Sequence, residues 1–158
     1  MRRVKPLDLI ATAKRLVDER SSRRPRQADL KRAVSTAYHA MFHSLCRTCA
    51  DCIVGTRAAD RSEPAWSQVY RSLDHGHAKR QCAHRRINAF PKQVEDVANR
   101  FRMSRTARHE ADCDPHRVFR LSEAIEHIES SEQAIRDLRG LPIEDRRAVA
   151  VWLILKPR

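Results

Sequence analysis

One short segment of the chain gathers side chains suited to holding an anion and moving a proton: Arg105, Arg108, His109, Asp112 and Asp114. Arginine offers phosphate a planar fork of donors, and histidine changes protonation near neutral pH. Arg108 and Asp112 stand four apart, so on a helix they share a face. As a structural tie, the pair is a salt bridge that satisfies a half-buried arginine. As a site, the arginines hold a phosphate or nucleotide with His109 beside them. A second set is Arg32, Ser35, His39, His43 and Cys46, which fall on one strip of a helix. His39, His43 and Cys46 share a face and can hold one zinc ion with a fourth ligand from elsewhere, although histidines with structural roles are far commoner than ligands. Cys46, Cys49 and Cys52 step by three and drift about 60° each time, so they do not converge. Cys46 as a nucleophile beside His39 or His43 lacks an Asn or Asp to orient the imidazole. No metal ion and no cofactor is expected.

Helices must position these residues. Leu30, Val34, Ala37, Tyr38, Met41, Leu45, Cys49 and Cys52 recur at steps of three and four, which predicts a long helix over 28–52. Its apolar stripe needs partner helices, and the strip with His39 runs along its flank. A first helix is expected over 6–19, opened by Pro6, with Ser21 to Arg26 as a loop. Glu63-Pro64 opens a third helix, with Gly76 expected just past its end in a left-handed conformation. A short basic helix over 77–86 follows. Residues 91–113 form a helix whose stripe turns from Val94, Val97, Ala98 and Phe101 to Arg105, Arg108 and Asp112 on one face. That change without a change of face marks a candidate site. Asp114-Pro115 reads as the cap and first position of a helix over 115–139, closed by Gly140. Pro142 opens a last helix, apolar all round from Ala148 to Leu155, which suits a core or a dimer interface.

Composition bounds the class. With 158 residues and only 3 glycines, the chain suits one all-helical domain with a core of its own. Its longest apolar run is too short to span a bilayer. Met1 to Lys5 has the charge of a signal n-region, but Asp8, Lys14 and Arg15 interrupt any apolar region after it. Five cysteines, an odd number, fit free thiols in a reducing compartment. A cytoplasmic protein without membrane contact is expected. The net charge of +12 is uneven: residues 1–32 and 71–108 carry +7 each, and residues 109–139 carry −4. Such a basic excess attracts polyanions, nucleic acid first among them.

Four segments, AVSTAYHAMFHSL, WSQVYRSLDHGHAKRQC, RTARHEADCDP and DRRAVAVWLILKPR, taken in this order resemble a bacterial subgroup of the HEPN domains. The resemblance covers nearly the whole chain. It implies an up-and-down bundle of about five to six helices over residues 1–158, commonly a homodimer. It also implies a toxin–antitoxin or defence context, with an antitoxin or nucleotidyltransferase as partner. Catalytic members are metal-independent ribonucleases that use an Arg and a His with four to six residues between them. Four pairs here have that spacing: Arg32–His39, Arg71–His77, Arg102–His109 and Arg120–His127. Chance at this arginine content gives about 4, so position must decide. Only Arg102–His109 lies just before the ADCDP break. Met103 follows Arg102 where active members carry a polar residue. Cys113 stands where the ADYDP-like segment of members not known to cut RNA has Tyr.

The expectation is therefore a module that binds RNA, a nucleotide or a protein partner around Arg102–Asp114. Arg105, Arg108, Asp112, Asp114, Arg32 and His39 are its binding residues. The runner-up is a metal-independent endoribonuclease using Arg102 or Arg108 with His109. The third reading is a purely structural interaction module, with Arg108–Asp112 as a tie and Trp152 at an interface.

Overall fold

The computed structural model describes residues 4–18, 20 and 23–156. Seven α-helices follow one another: α1 (Pro6–Leu16), α2 (Gln27–Ile53), α3 (Glu63–Ser72), α4 (His75–Ala83), α5 (Lys92–Cys113), α6 (Leu121–Gly140) and α7 (Ile143–Ile154). Short 3₁₀ turns at Ala58–Asp60 and Arg85–Ala89 join them, and no strand occurs among the described residues. The class is all-α, as expected. The count exceeds the five to six that the resemblance implies, and the basic helix expected over 77–86 is α4, which runs from His75 to Ala83.

Side-chain capping starts five of the described helices, and Pro91 and Pro142 precede α5 and α7. In α1, α2 and α6 the acid at the third position reaches back to the amide before the helix. Asp8 accepts from Lys5 at 3.3 Å, Asp29 from Arg26 at 2.9 Å and Glu123 from Arg120 at 3.4 Å. The Ser62 hydroxyl caps α3, and the Asp74 carboxylate caps α4 by accepting from the His77 amide at 2.7 Å. Gly55 follows α2 at φ 126, a conformation that favours glycine. Arg61 closes the loop by donating to the carbonyls of Gly55 and Thr56 at 3.2 and 3.1 Å.

α2 is the axis of the molecule and packs against α1, α3, α5, α6 and α7. Its stripe residues Val34, Ala37, Tyr38, Met41, Leu45 and Cys49 are buried. Phe101 of α5, Ile128, Ile135 and Leu138 of α6 and Leu153 of α7 complete one continuous core. α5 runs antiparallel to α2, so Ser35 meets Asp112 while Tyr38 meets Phe101 further along.

Several expected boundaries need correction. α1 ends at Leu16; Glu19, its expected end, lies outside the described residues, as do Ser21 and Ser22 of the expected loop. Gly76 sits in the first turn of α4 and Gly140 is the last residue of α6; neither has a positive φ. The loop after Ser72 turns instead through extended Leu73 and Asp74, because Leu73 is buried and Asp74 caps α4. Pro115 opens no helix. Residues 114–120 form a strap, and α6 begins at Leu121. The cause is Gln27, whose side-chain amide donates to the Phe119 carbonyl at 2.7 Å and accepts from its N–H at 2.9 Å. Phe119 is thereby held with its ring buried. Arg117 covers that ring from 4.1 Å and is itself held by Glu110 and Glu123. α7 is buried on one side only: Val149, Ala150 and Leu153 face the core, and Val151 and Leu155 are exposed. Trp152 docks on α4, donating to the Gln81 carbonyl at 3.1 Å while Gln81 donates back to its carbonyl at 2.7 Å.

Candidate anion site between α2, α4 and α5

Tyr38 is the centre of the polar cluster, although its ring is fully buried in the core. Its hydroxyl lies 2.6 Å from His75 Nδ1, at the start of α4. Burial pushes the Tyr38 phenol up to about 12, so the oxygen keeps its proton. Burial, then the charges of His39, Arg108 and Arg105, hold His75 below the ordinary histidine value. The phenol therefore donates to Nδ1, which places the His75 proton on Nε2. Phe42 stacks on the His75 ring at 3.7 Å and fixes its plane. His39 meets the same ring edge-on at 5.9 Å and is likewise held low, by burial first and by Arg108 next. Both imidazoles are thus neutral above their depressed values, with His75 Nδ1 engaged by the Tyr38 hydroxyl.

α5 supplies the positive charge. The Arg108 guanidinium lies 5.7 Å from the centre of the Tyr38 ring. Its Nε is 2.7 Å from the Asp112 carboxylate, and the Ser35 hydroxyl donates to the same oxygen at 3.2 Å. At that distance the pair is in ionic contact. The Arg108 N–H does not point at the carboxylate, however, and it has no hydrogen-bond acceptor. Nε of Arg105 is buried and unbonded in the same way. Arg105, beside two neutral imidazoles, therefore keeps a donor that the described residues leave unused, while Arg108 is already in ionic contact with Asp112. A buried donor without an acceptor costs about 1–3 kcal/mol, which an arriving oxyanion relieves.

The residues expected from the sequence divide. Arg105, Arg108, Asp112 and His39 are brought together. Arg32 is exposed at the edge, where its charge reaches His39. Asp114 is exposed and turns the chain: its carboxylate accepts from the His116 amide at 2.8 Å and its carbonyl from Lys31 at 2.8 Å. Arg102 is exposed and its charge is felt by Cys82 of α4. His109 is exposed and has no hydrogen-bond or ionic partner among the described residues. No hydrogen bond joins Arg102 to His109.

The rest of the strip on α2 is spoken for. His43 Nδ1 lies 2.7 Å from the Tyr70 hydroxyl, and Cys46 is buried with its thiol pushed up to about 12. That thiol is inert as a nucleophile. No group of three or more His, Cys, Asp or Glu side chains among the described residues is arranged to hold a metal ion. Sequence reasoning placed Tyr38 in the core but missed its hydroxyl, and it missed His75 altogether. The Asp74-His-Gly-His start of α4 was the available signal, since an N-cap aspartate fixes where the next residues emerge.

No protein-family model, curated protein or solved structure matches the chain.

Proposed function

We propose that this chain is an HEPN-like helical domain that binds RNA or a nucleotide through phosphate at the junction of α2, α4 and α5. The observation that carries this reading is the pair Arg105 and Arg108 beside neutral His39 and His75: the Arg105 Nε is buried without an acceptor, and Arg108 is in ionic contact with Asp112. Phosphate is the ligand that uses two arginine forks at once. The net charge of +12 adds long-range attraction for a polyanion. The quoted segments support the family, and with it a cytoplasmic homodimer that works beside an antitoxin or nucleotidyltransferase partner. The test is titration of a fluorescent single-stranded RNA and of a nucleoside monophosphate. Arg105→Gln and Arg108→Gln each weaken binding about tenfold, the effect of losing one charge-assisted contact. Binding unchanged in both variants contradicts the proposal.

A metal-independent ribonuclease is the second reading, and the neutral His39–His75 pair next to Arg108 favours it. In this arrangement a histidine takes the proton of the ribose hydroxyl while the arginines hold the phosphate charge. The pair Arg102–His109 is the rival choice of residues. RNA incubated with chelator separates the readings: cleavage lost in His75→Ala and kept in His109→Ala assigns the reaction to the cluster. Cleavage lost only in His109→Ala assigns it to the exposed pair.

A further inference from the structure

A second arginine-lined hollow lies toward the opposite end of α2. The last turns of α2, the loop after it, the end of α6 and the start of α7 enclose a concavity of about 90 Å³. Arg47, Arg139 and Arg146 line it, with the hydroxyl-bearing residues Ser44, Thr48 and Thr56. One carboxylate is present, Asp51, and it is already engaged. It accepts from the Trp66 indole at 2.8 Å, and Arg61 and Arg47 each lie 3.5 Å from it. Arg139 and Arg146 have no ionic partner among the described residues. Nε of Arg146 is buried and has no acceptor. Neither Ser44 nor Thr48 uses its hydroxyl in a hydrogen bond among the described residues.

Two like charges, a water-excluded donor and unused hydroxyls around a small hollow form a demand for one acceptor-rich anion. The hollow is roomy enough for one tetrahedral oxyanion. Cys52 borders the same hollow, and the Arg146 and Arg147 charges reach its thiol.

We infer that this hollow binds a single phosphate group, held by Arg139 and Arg146 with hydroxyl support from Thr48. The group is either free inorganic phosphate or one phosphate of a bound strand. The site stands on its own residues and is independent of the cluster at Tyr38.

The test is a phosphorus-31 resonance titration of the full chain with sodium phosphate, at ionic strength matched with sodium chloride. Saturable binding that weakens at least tenfold in Arg146→Gln and in Arg139→Gln supports the site. Arg139 is exposed, so its variant keeps the fold, and Thr48→Val gives a further, charge-neutral check. The double variant Arg105→Gln/Arg108→Gln retains this site and empties the other, so the two fail separately. A labelled RNA in the same variants tells the source: weakened RNA binding marks a strand phosphate, and unchanged RNA binding marks the free ion. Phosphate that binds no better than chloride, or equally well in Arg139→Gln and Arg146→Gln, overturns the inference.

Discussion

At the scale of single residues, the Tyr38 hydroxyl connects core to site. The ring is packed against Phe42 and Phe101, and the oxygen reaches His75. Tyr38→Phe keeps the packing and deletes one hydrogen bond. The expected loss is about 1 kcal/mol, read as a fall of about 2–4 °C in a thermal melt followed by circular dichroism. The histidines add a pH dependence. His39, His43 and His75 are all held below the ordinary value of 6.5 in the fold. Between those depressed values and 6.5 the unfolded chain binds more protons, so stability rises with pH through that window. It is fully present above 6.5 and declines as pH falls below it. Urea midpoints at pH 5.5 and 7.5 check this, with the lower midpoint at pH 5.5. His75→Gln makes the difference between them smaller.

At the scale of elements, the strap before α6 shows where sequence patterns mislead. Asp114-Pro115 has the composition of a helix start, yet Gln27 holds Phe119 extended from 92 positions away in the chain. Gln27→Ala removes both hydrogen bonds to that backbone. The expected cost is about 2 kcal/mol, or a fall of about 4–8 °C in melting temperature. The long stripe of α2 was legible because one period of 3.6 residues governs all its turns. The helical charges Arg105, Arg108 and Asp112 were legible for the same reason, since a single helix fixes their relative directions. His75 was not. Its place depends on how the turn at Leu73 and Asp74 docks α4 against α2, and nothing in the spacing of α2 or α5 specifies that docking. Gly76 and Gly140 misled in another way: Gly76 lies in the first turn of α4 and Gly140 ends α6, whose exit runs through extended Leu141, so neither position needs a left-handed residue.

At the scale of the whole molecule, the axis helix carries arginine clusters toward both its ends. Arg105 and Arg108 face its first half, and Arg139 and Arg146 face its second. Of these four arginines, Arg105 and Arg146 have a buried Nε without an acceptor, and Arg108 is in ionic contact with Asp112. Polar groups in such places are normally paired, so their concentration in two spots argues for ligands and not for a uniformly solvated basic surface. The exposed residues Val151 and Leu155 stand on the outer side of α7, away from the polar cluster. The arginine-rich composition suggested polyanion binding without saying where. The junction of α2, α4 and α5, where Arg105 and Arg108 meet His39 and His75, is the place proposed for it.

The most direct measurement is the salt dependence of RNA affinity, by fluorescence anisotropy, for the native chain and for Arg105→Gln/Arg108→Gln. If these two arginines neutralise strand phosphates, the double variant binds more weakly at every salt concentration. Its plot of log affinity against log salt is then shallower by about 1.4, at about 0.7 per contact for a single strand. Parallel plots with equal affinities would contradict the account, and would leave Arg105 and Arg108 as parts of the scaffold alone.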